Sequence, residues 1–230
     1  MCINLSSFDE IFTPKKLSDF VFNKYKDVNI IEHCINGTFG FPGSGKNGIL
    51  LYGDVGTGKS ALAKLLPDLI EQGRTGKPST CARFINVQLG NNSSELIVKI
   101  NNQCELIPFD SFHYFVLDEV DNLTTASMSS LKVAMNAGYR TSIFILTTNH
   151  LAKIDKSVKS RCHLIDFNPA PSAHWLPVLQ RIFSYYGITG LSNASLLQLI
   201  HPCNGNARDI LDAVKQVVYA YYANQSAATI

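Results

Sequence analysis

No two cysteines of this chain stand in a CxxC spacing. The six lie scattered at Cys2, Cys34, Cys81, Cys104, Cys162 and Cys203, which argues against the paired-thiolate pattern of a zinc site. Free thiols in a reducing compartment are expected instead. His113, His150, His163, His174 and His201 likewise show no ligand spacing and read as structural. Charge is sparse. Charged residues make up 17% of the chain and the formal net charge is +2. That argues against a generally basic chain that coats nucleic acid, though a local basic face stays open. No apolar run approaches the length of a membrane span. Met1 to Glu10 has no basic region followed by an apolar stretch, so no secretory signal is expected and a cytoplasmic location is. Internal repeats and low-complexity tracts are missing too. The small, polar tail from Asn224 to Ile230 is expected to fray.

What is present is enough for a packed core. The chain has 230 residues and 46% hydrophobic content, room for one large domain or a large and a small one. Its most informative run is Gly53-Asp54-Val55-Gly56-Thr57-Gly58-Lys59-Ser60. An apolar triplet, Ile49-Leu50-Leu51, precedes it and a helix-like stretch from Ala61 to Leu66 follows. That is the strand–glycine-loop–helix context of a phosphate-binding loop. Glycines let backbone N–H groups curl around phosphate oxygens, and the new helix points its positive end at them. Gly53 through Ala61 are therefore the candidate nucleotide-binding residues. Lys59 is placed to reach the β- and γ-phosphates of ATP, and the Ser60 hydroxyl to hold Mg²⁺.

Gly40-Phe41-Pro42-Gly43-Ser44-Gly45-Lys46 matches the first seven positions of the same pattern, but Asn47 occupies the eighth. Its glycines and Pro42 are turn formers, so a flexible loop is expected there.

Short apolar segments alternate with helical ones as far as Phe167. Strands are expected at 49–52, 84–89, 114–117, 142–147 and 163–167, and helices at 60–72, 93–103 and 124–136, with Ser93 or Ser94 as a cap. The pattern implies an α/β fold with a parallel sheet covered on both faces by right-handed crossovers. Upstream, a polar lead-in is expected to pass into a helix containing Leu17, Phe20, Val21 and Phe22. After Asn168-Pro169-Ala170-Pro171 no convincing strand follows, and 173–186, 192–200 and 207–222 read as helices. The division expected is a nucleotide-binding core, 1–168, and a small all-helical lid, 169–230.

Three further segments carry chemistry. Tyr114-Phe115-Val116-Leu117-Asp118-Glu119 is an apolar strand ending in two acids. Asp118 suits the Mg²⁺ coordination shell and Glu119 suits polarising an attacking water. The plainer reading is an acid pair at a helix N-terminus. Ile143 to Asn149 is another apolar strand with a polar end, where Asn149 either positions that water or starts a turn. Arg161, in Ser160-Arg161-Cys162, either neutralises charge on a transferring phosphoryl group, from a neighbouring subunit, or makes a surface salt bridge. Arg208, in Gly205-Asn206-Ala207-Arg208, either touches the γ-phosphate and moves the lid or is an ordinary exposed helical arginine.

Taken in order from about Phe12 to Tyr222, these motifs resemble the AAA+ ATPase superfamily. Gly53–Ser60 is similar to Walker A, Tyr114–Glu119 to Walker B, Asn149 to sensor 1, Arg161 to the arginine finger and Arg208 to sensor 2. The resemblance implies a P-loop core with a five-stranded sheet of order 5-1-4-3-2 and a helical lid, with ATP held at their junction and between subunits. Within the superfamily, Ser157-Val158-Lys159-Ser160-Arg161-Cys162 resembles the SRC box of clamp-loader ATPases. Phe12 to Val21 resembles their opening segment, and Asp118 to Thr124 their DEADxMT run. The resemblance implies an ATP-driven switch in DNA replication, assembled as a homo- or hetero-oligomer. Three features depart from that branch: no collar domain follows the lid, Asn136 stands after Met135 where the branch carries Glu, and the zinc cysteines of the bacterial members are missing. A helper resembling helicase loaders or transposition ATPases, and a nucleotide-gated interaction module of a mobile element or defence assembly, are the other readings.

Lys153, Lys156 and Lys159 recur at threes and are expected to share one helical face, with Arg161 behind and Lys132 nearby. That face either tracks DNA phosphates or is simply solvated. Tyr185, Tyr186, Tyr219, Tyr221 and Tyr222 read as packing residues sooner than base-stacking ones, and Trp175 as lid core.

Overall fold

The structure, a computed structural model, describes residues 8–88 and 93–227. Its helices and strands run α1 (Phe8–Phe12), α2 (Tyr25–Asn36), β1 (Gly48–Tyr52), α3 (Lys59–Thr75), β2 (Arg83–Asn86), α4 (Ser94–Cys104) and β3 (His113–Asp118). Then follow α5 (Thr125–Ala137), β4 (Ser142–Thr148), α6 (Lys156–Lys159), β5 (Cys162–Asp166), α7 (Leu176–Tyr185), α8 (Asn193–Ile200) and α9 (Ala207–Ala227). The chain divides into two compact units. One comprises Lys24–Asp54 and Lys59–Asn168; the other comprises residues 8–23, Val55–Gly58 and 169–227.

The first unit is a five-stranded parallel sheet of order β2-β3-β4-β1-β5 with helices packed on it. This is the expected order read from the other edge. The three central strands, β1, β3 and β4, are largely apolar and buried because both of their faces are covered, whereas the edge strand β2 is mostly exposed. Ile49, Leu50 and Leu51 of β1 are fully buried, and every residue of β4 is buried. Phe115, Leu117, Phe144 and Leu146 pack with Ile97 and Ile100 of α4 and Leu131 and Met135 of α5. Each such side chain contributes about 2 kcal/mol on leaving water. Because the strands are parallel, the turns after β1, β3 and β4 all emerge at one edge of the sheet.

The second unit is helical. Trp175, Leu179, Ile182, Phe183, Leu196, Ile200, Ile210, Val214 and Val218 form its core, joined by Phe8 of α1. Phe8 stacks on Tyr186 with ring centroids 6.0 Å apart, and the Tyr222 hydroxyl donates to the Tyr186 carbonyl at 2.6 Å.

Three local expectations are corrected. Leu17 to Phe22 is not a helix: Leu17–Asp19 is a single 3₁₀ turn, and Phe20 after it is extended. The Asp19 carboxylate accepts from the backbone N–H groups of Lys15 and Lys16 at 3.0 and 3.2 Å, and such a local side-chain bond competes with helix formation. The three lysines do not share one helix either. Lys153 ends a 3₁₀ turn, Leu151–Lys153, and Asp155 then caps the separate helix α6 through the Ser157 N–H at 2.6 Å. Finally, 40–47 is a pinned turn, not a loose loop. Gly43 and Lys46 bond each other's backbone, Lys46 Nζ donates to the Cys162 carbonyl at 2.5 Å, and buried Asn47 donates to the Met135 carbonyl at 2.9 Å. The turn delivers the chain into β1. The strand expected at 84–89 is β2, beginning at Arg83 and ending at Asn86; Leu89 lies outside the described residues, as do Met1 to Ser7 of the stretch read as carrying no secretory signal and Ala228 to Ile230 of the tail.

Candidate functional site

At the sheet edge where β1, β3 and β4 end, one carboxylate gathers three segments. Asp118, the last residue of β3, accepts a 2.9 Å hydrogen bond at Oδ1 from the Ser60 hydroxyl on the first turn of α3. The same oxygen accepts from the hydroxyl of Thr147, near the end of β4. Thr147 is buried, and its Oγ1 in turn accepts from the Glu119 N–H at 3.0 Å. Glu119 has φ 60° and ψ 49°, the left-handed region that a non-glycine residue rarely enters. Strain of that kind persists only where surrounding contacts hold it. Here the Thr147 hydroxyl and the Asn122 side chain, 3.3 Å from Glu119 Oε2, do so. Glu119 itself is exposed, and Asn149 follows β4 directly and is half-buried.

Lys59 opens α3 and is buried. Its ammonium donates to the carbonyls of Gly53 and Asp54 at 2.9 and 2.5 Å. Burial pulls its pKa below the ordinary lysine value, against the opposing pull of Asp54, Asp118, Asp121 and Glu119. Gly53 has φ 149°, and a Cβ there would run into the backbone of Phe167 and Asn168. Asp54 is exposed, as is Ala61 on the first turn of α3. The Ser60 hydroxyl and the Asp118 carboxylate are adjacent hard oxygen donors, a set that suits Mg²⁺, which keeps most of its shell as water and phosphate oxygen. Among the described residues no three His, Cys, Asp or Glu side chains cluster as a metal centre.

Within the helical unit, the loop crest Val55–Gly58 is bonded to the start of α9. Arg208 N–H donates to the Gly56 carbonyl at 3.1 Å, and the Asn206 side chain donates to the Val55 carbonyl at 3.1 Å. Asn206 Oδ1 also accepts from Arg208 N–H at 3.0 Å, capping α9. Gly56 has φ 82°, and any Cβ there would strike Asn206. Thr57 is buried and Gly58 has φ 102°.

Arg161 is not part of the Lys59–Asp118 gathering. It immediately precedes β5, at the opposite edge of the sheet, separated by the five residues of that strand, about 17 Å. Its Nε donates to the Asn136 side-chain oxygen at 2.7 Å and its Nη1 to the Ser157 carbonyl at 2.6 Å.

Four side chains in these networks were not picked out from the sequence as site residues: Thr147, Asn122, Asn206 and Asn136. Thr147 carried a faint signal, a hydroxyl at the end of an otherwise apolar strand. Asn136 stood out only as a departure from the clamp-loader pattern; Asn122 and Asn206 gave no signal of their own, since the backbone carbonyls they bond, of Val87 and Val55, lie 35 and 151 positions away.

The family model for the ATPase family associated with various cellular activities (AAA) matches residues 49–169, more than half of the chain. The chain belongs to the AAA family. Among curated relatives, this AAA chain is similar to replication factor C small subunit 2 of Pyrobaculum islandicum, 26% identical over 167 residues that cover 73% of this chain and 52% of that one. It is also similar to the replication factor C small subunit of Methanocella arvoryzae, 26% identical over 230 residues, covering 96% of this chain and 64% of the relative. The chain thus spans about half to two-thirds of the length of these relatives. Among solved structures, a Thermotoga maritima RuvB mutant superposes with a TM-score of 0.66 at 15% identity, covering 94% of this chain and 68% of that one. This likeness concerns the fold. Among the described residues no helix is long and apolar enough to cross a membrane.

Proposed function

We propose that this AAA chain is a Mg²⁺-dependent ATPase whose active site is completed between subunits, an ATP-driven switch related to clamp loading in DNA replication. The observation that carries the reading is the convergence of Lys59, Ser60, Asp118, Thr147 and Glu119 at one sheet edge. Backbone N–H groups of Gly56 to Ala61 cradle the phosphates, and Lys59 exchanges its carbonyl partners for β- and γ-phosphate oxygens. Ser60 and Asp118 are the residues that would hold Mg²⁺, which would supply charge neutralisation for phosphoryl transfer. Glu119 accepts the proton of the attacking water, and Asn149 orients that water. Arg208 follows the nucleotide state through its place at the start of α9. Arg161, remote from its own chain's site, is suited to the site of a neighbouring protomer. The similarity to replication factor C small subunits supports a role with DNA and a replication protein. The exposed Lys132, Lys153 and Lys156 are the phosphate-contacting candidates.

The test is the ATPase rate per protomer against protein concentration, with and without DNA. The rate should rise with concentration, and Glu119→Gln should retain bound ATP without turnover. Mixing Lys59→Ala protein with Arg161→Ala protein should recover activity, because each lacks a different half of the site. A rate flat over a wide range, with no recovery in the mixture, would rule out the shared site.

A further inference from the structure

Arg161 is held, though not by an acid. Both of its acceptors are neutral, the Asn136 side-chain oxygen at 2.7 Å and the Ser157 carbonyl at 2.6 Å. Among the described residues it makes no ion pair. Of the five N–H groups of a guanidinium, these two bonds engage one on Nε and one on Nη1, which leaves Nη2 for a further acceptor. The side chain borders an open cavity of about 260 Å³ that Asn136, Tyr139 and Ser160 also line. Two fixed acceptors, on Nε and Nη1, set both the position and the plane of the guanidinium. The Ser157 carbonyl alone, four residues back on α6, would leave it free to swing.

Asn136 is also the far end of a lever. It lies on the last turn of α5, whose 13 residues span about 20 Å. The other end of α5 follows Asp118 and Glu119 through the single turn Val120–Asn122 and the cap Thr124, which accepts from the Ser127 N–H at 3.1 Å. One rigid helix therefore runs from the acid pair at one sheet edge to the acceptor of Arg161 at the other.

We infer that Asn136 is a positioning residue: it aims the Arg161 guanidinium at the neighbouring protomer's nucleotide, and α5 ties that aim to the acid pair of its own protomer. The inference rests on the shared-site reading above. Misplacing a reacting or charge-stabilising group by a fraction of its length costs rate while leaving nucleotide binding in place.

The mixed assembly tests it. In a mixture of Lys59→Ala and Arg161→Ala protomers, turnover comes from the intact site of an Arg161→Ala protomer that receives the arginine of a Lys59→Ala neighbour. Adding Asn136→Ala to the Lys59→Ala protomer should lower kcat roughly tenfold with KM unchanged, against the roughly 10³-fold or greater worth of the arginine itself. Adding it to the Arg161→Ala protomer, whose arginine is already gone, should change nothing. The isosteric Asn136→Asp on the Lys59→Ala protomer keeps an acceptor in place and should restore most of the rate. Equal losses from both placements, no loss from the first, or no restoration by the aspartate would each overturn the inference. A parent mixture that never recovers activity would overturn the shared site, and this inference with it.

Discussion

Ser60 and Asp118, 58 positions apart in the chain, are joined by a 2.9 Å hydrogen bond from the serine hydroxyl to carboxylate Oδ1. The Thr147 hydroxyl donates to that same oxygen. A single carboxylate thus ties the start of α3 to the ends of β3 and β4, three segments that meet because parallel strands deliver their C-terminal ends to one edge. The two hydroxyl donors on one oxygen fix the orientation of that carboxylate.

Thr147 is the most informative residue to change. Thr147→Val keeps the shape but removes the hydroxyl that bonds both Asp118 and the Glu119 N–H. The left-handed Glu119 then loses an anchor. Turnover should fall roughly tenfold to a hundredfold, in line with displaced catalytic groups, while the midpoint of nucleotide binding shifts little. Thr147→Ser should restore most of the rate. Single-turnover kinetics on the three proteins decide it. Equal rates would mean the bridge plays no part in turnover.

Lys59 should make pH act in opposite directions on stability and binding. Its folded pKa lies below the ordinary 10.5, so protonation favours the unfolded chain, and its contribution to stability rises as pH climbs through the folded value towards 10.5. The phosphate-binding form is the protonated one. ATP affinity should therefore weaken over the same alkaline window, at lower pH than an ordinary lysine titrates. Nucleotide titrations and thermal melts across that window, with Lys59→Arg as the control that keeps its charge, read both slopes. An unchanged pH profile in Lys59→Arg would assign the effect to another group.

Glu71 is the buried acid to test for stability. On α3 and nearly inaccessible, it accepts from the Tyr114 hydroxyl at 2.8 Å and from the Ser111 hydroxyl and N–H at 2.8 and 3.1 Å. Burial first, then Glu71, push the Tyr114 hydroxyl well above the usual tyrosine range. Tyr114→Phe removes one donor of several and should cost about 1–2 kcal/mol, whereas Glu71→Ala removes every one of these bonds and strands the buried Tyr114 hydroxyl, and should cost about 3 kcal/mol. Urea denaturation of both variants orders them. The reverse order would show that Glu71 is buried at a net cost.

What the order of residues determined by itself was local and repetitive. The glycine run before Lys59-Ser60, the apolar strand ending in Asp118-Glu119 and the apolar strand expected at 142–147 each read from neighbours a few positions away, because strand burial and loop chemistry are short-range patterns. The strand order was implied by the resemblance to the AAA+ superfamily that those motifs carry, not by the residues themselves. The helix expected over Leu17 to Phe22 misread the same kind of signal: apolar spacing there is real, but the Asp19 carboxylate closes a turn on Lys15 and Lys16 that no periodicity reveals. Only the tertiary structure decided which polar side chains meet. Thr147 reaches Asp118 and Glu119, Asn206 reaches Val55, and Asn136 reaches Arg161, because a side-chain hydrogen bond depends on ångström-scale geometry that parallel pairing and helix packing set across tens of residues.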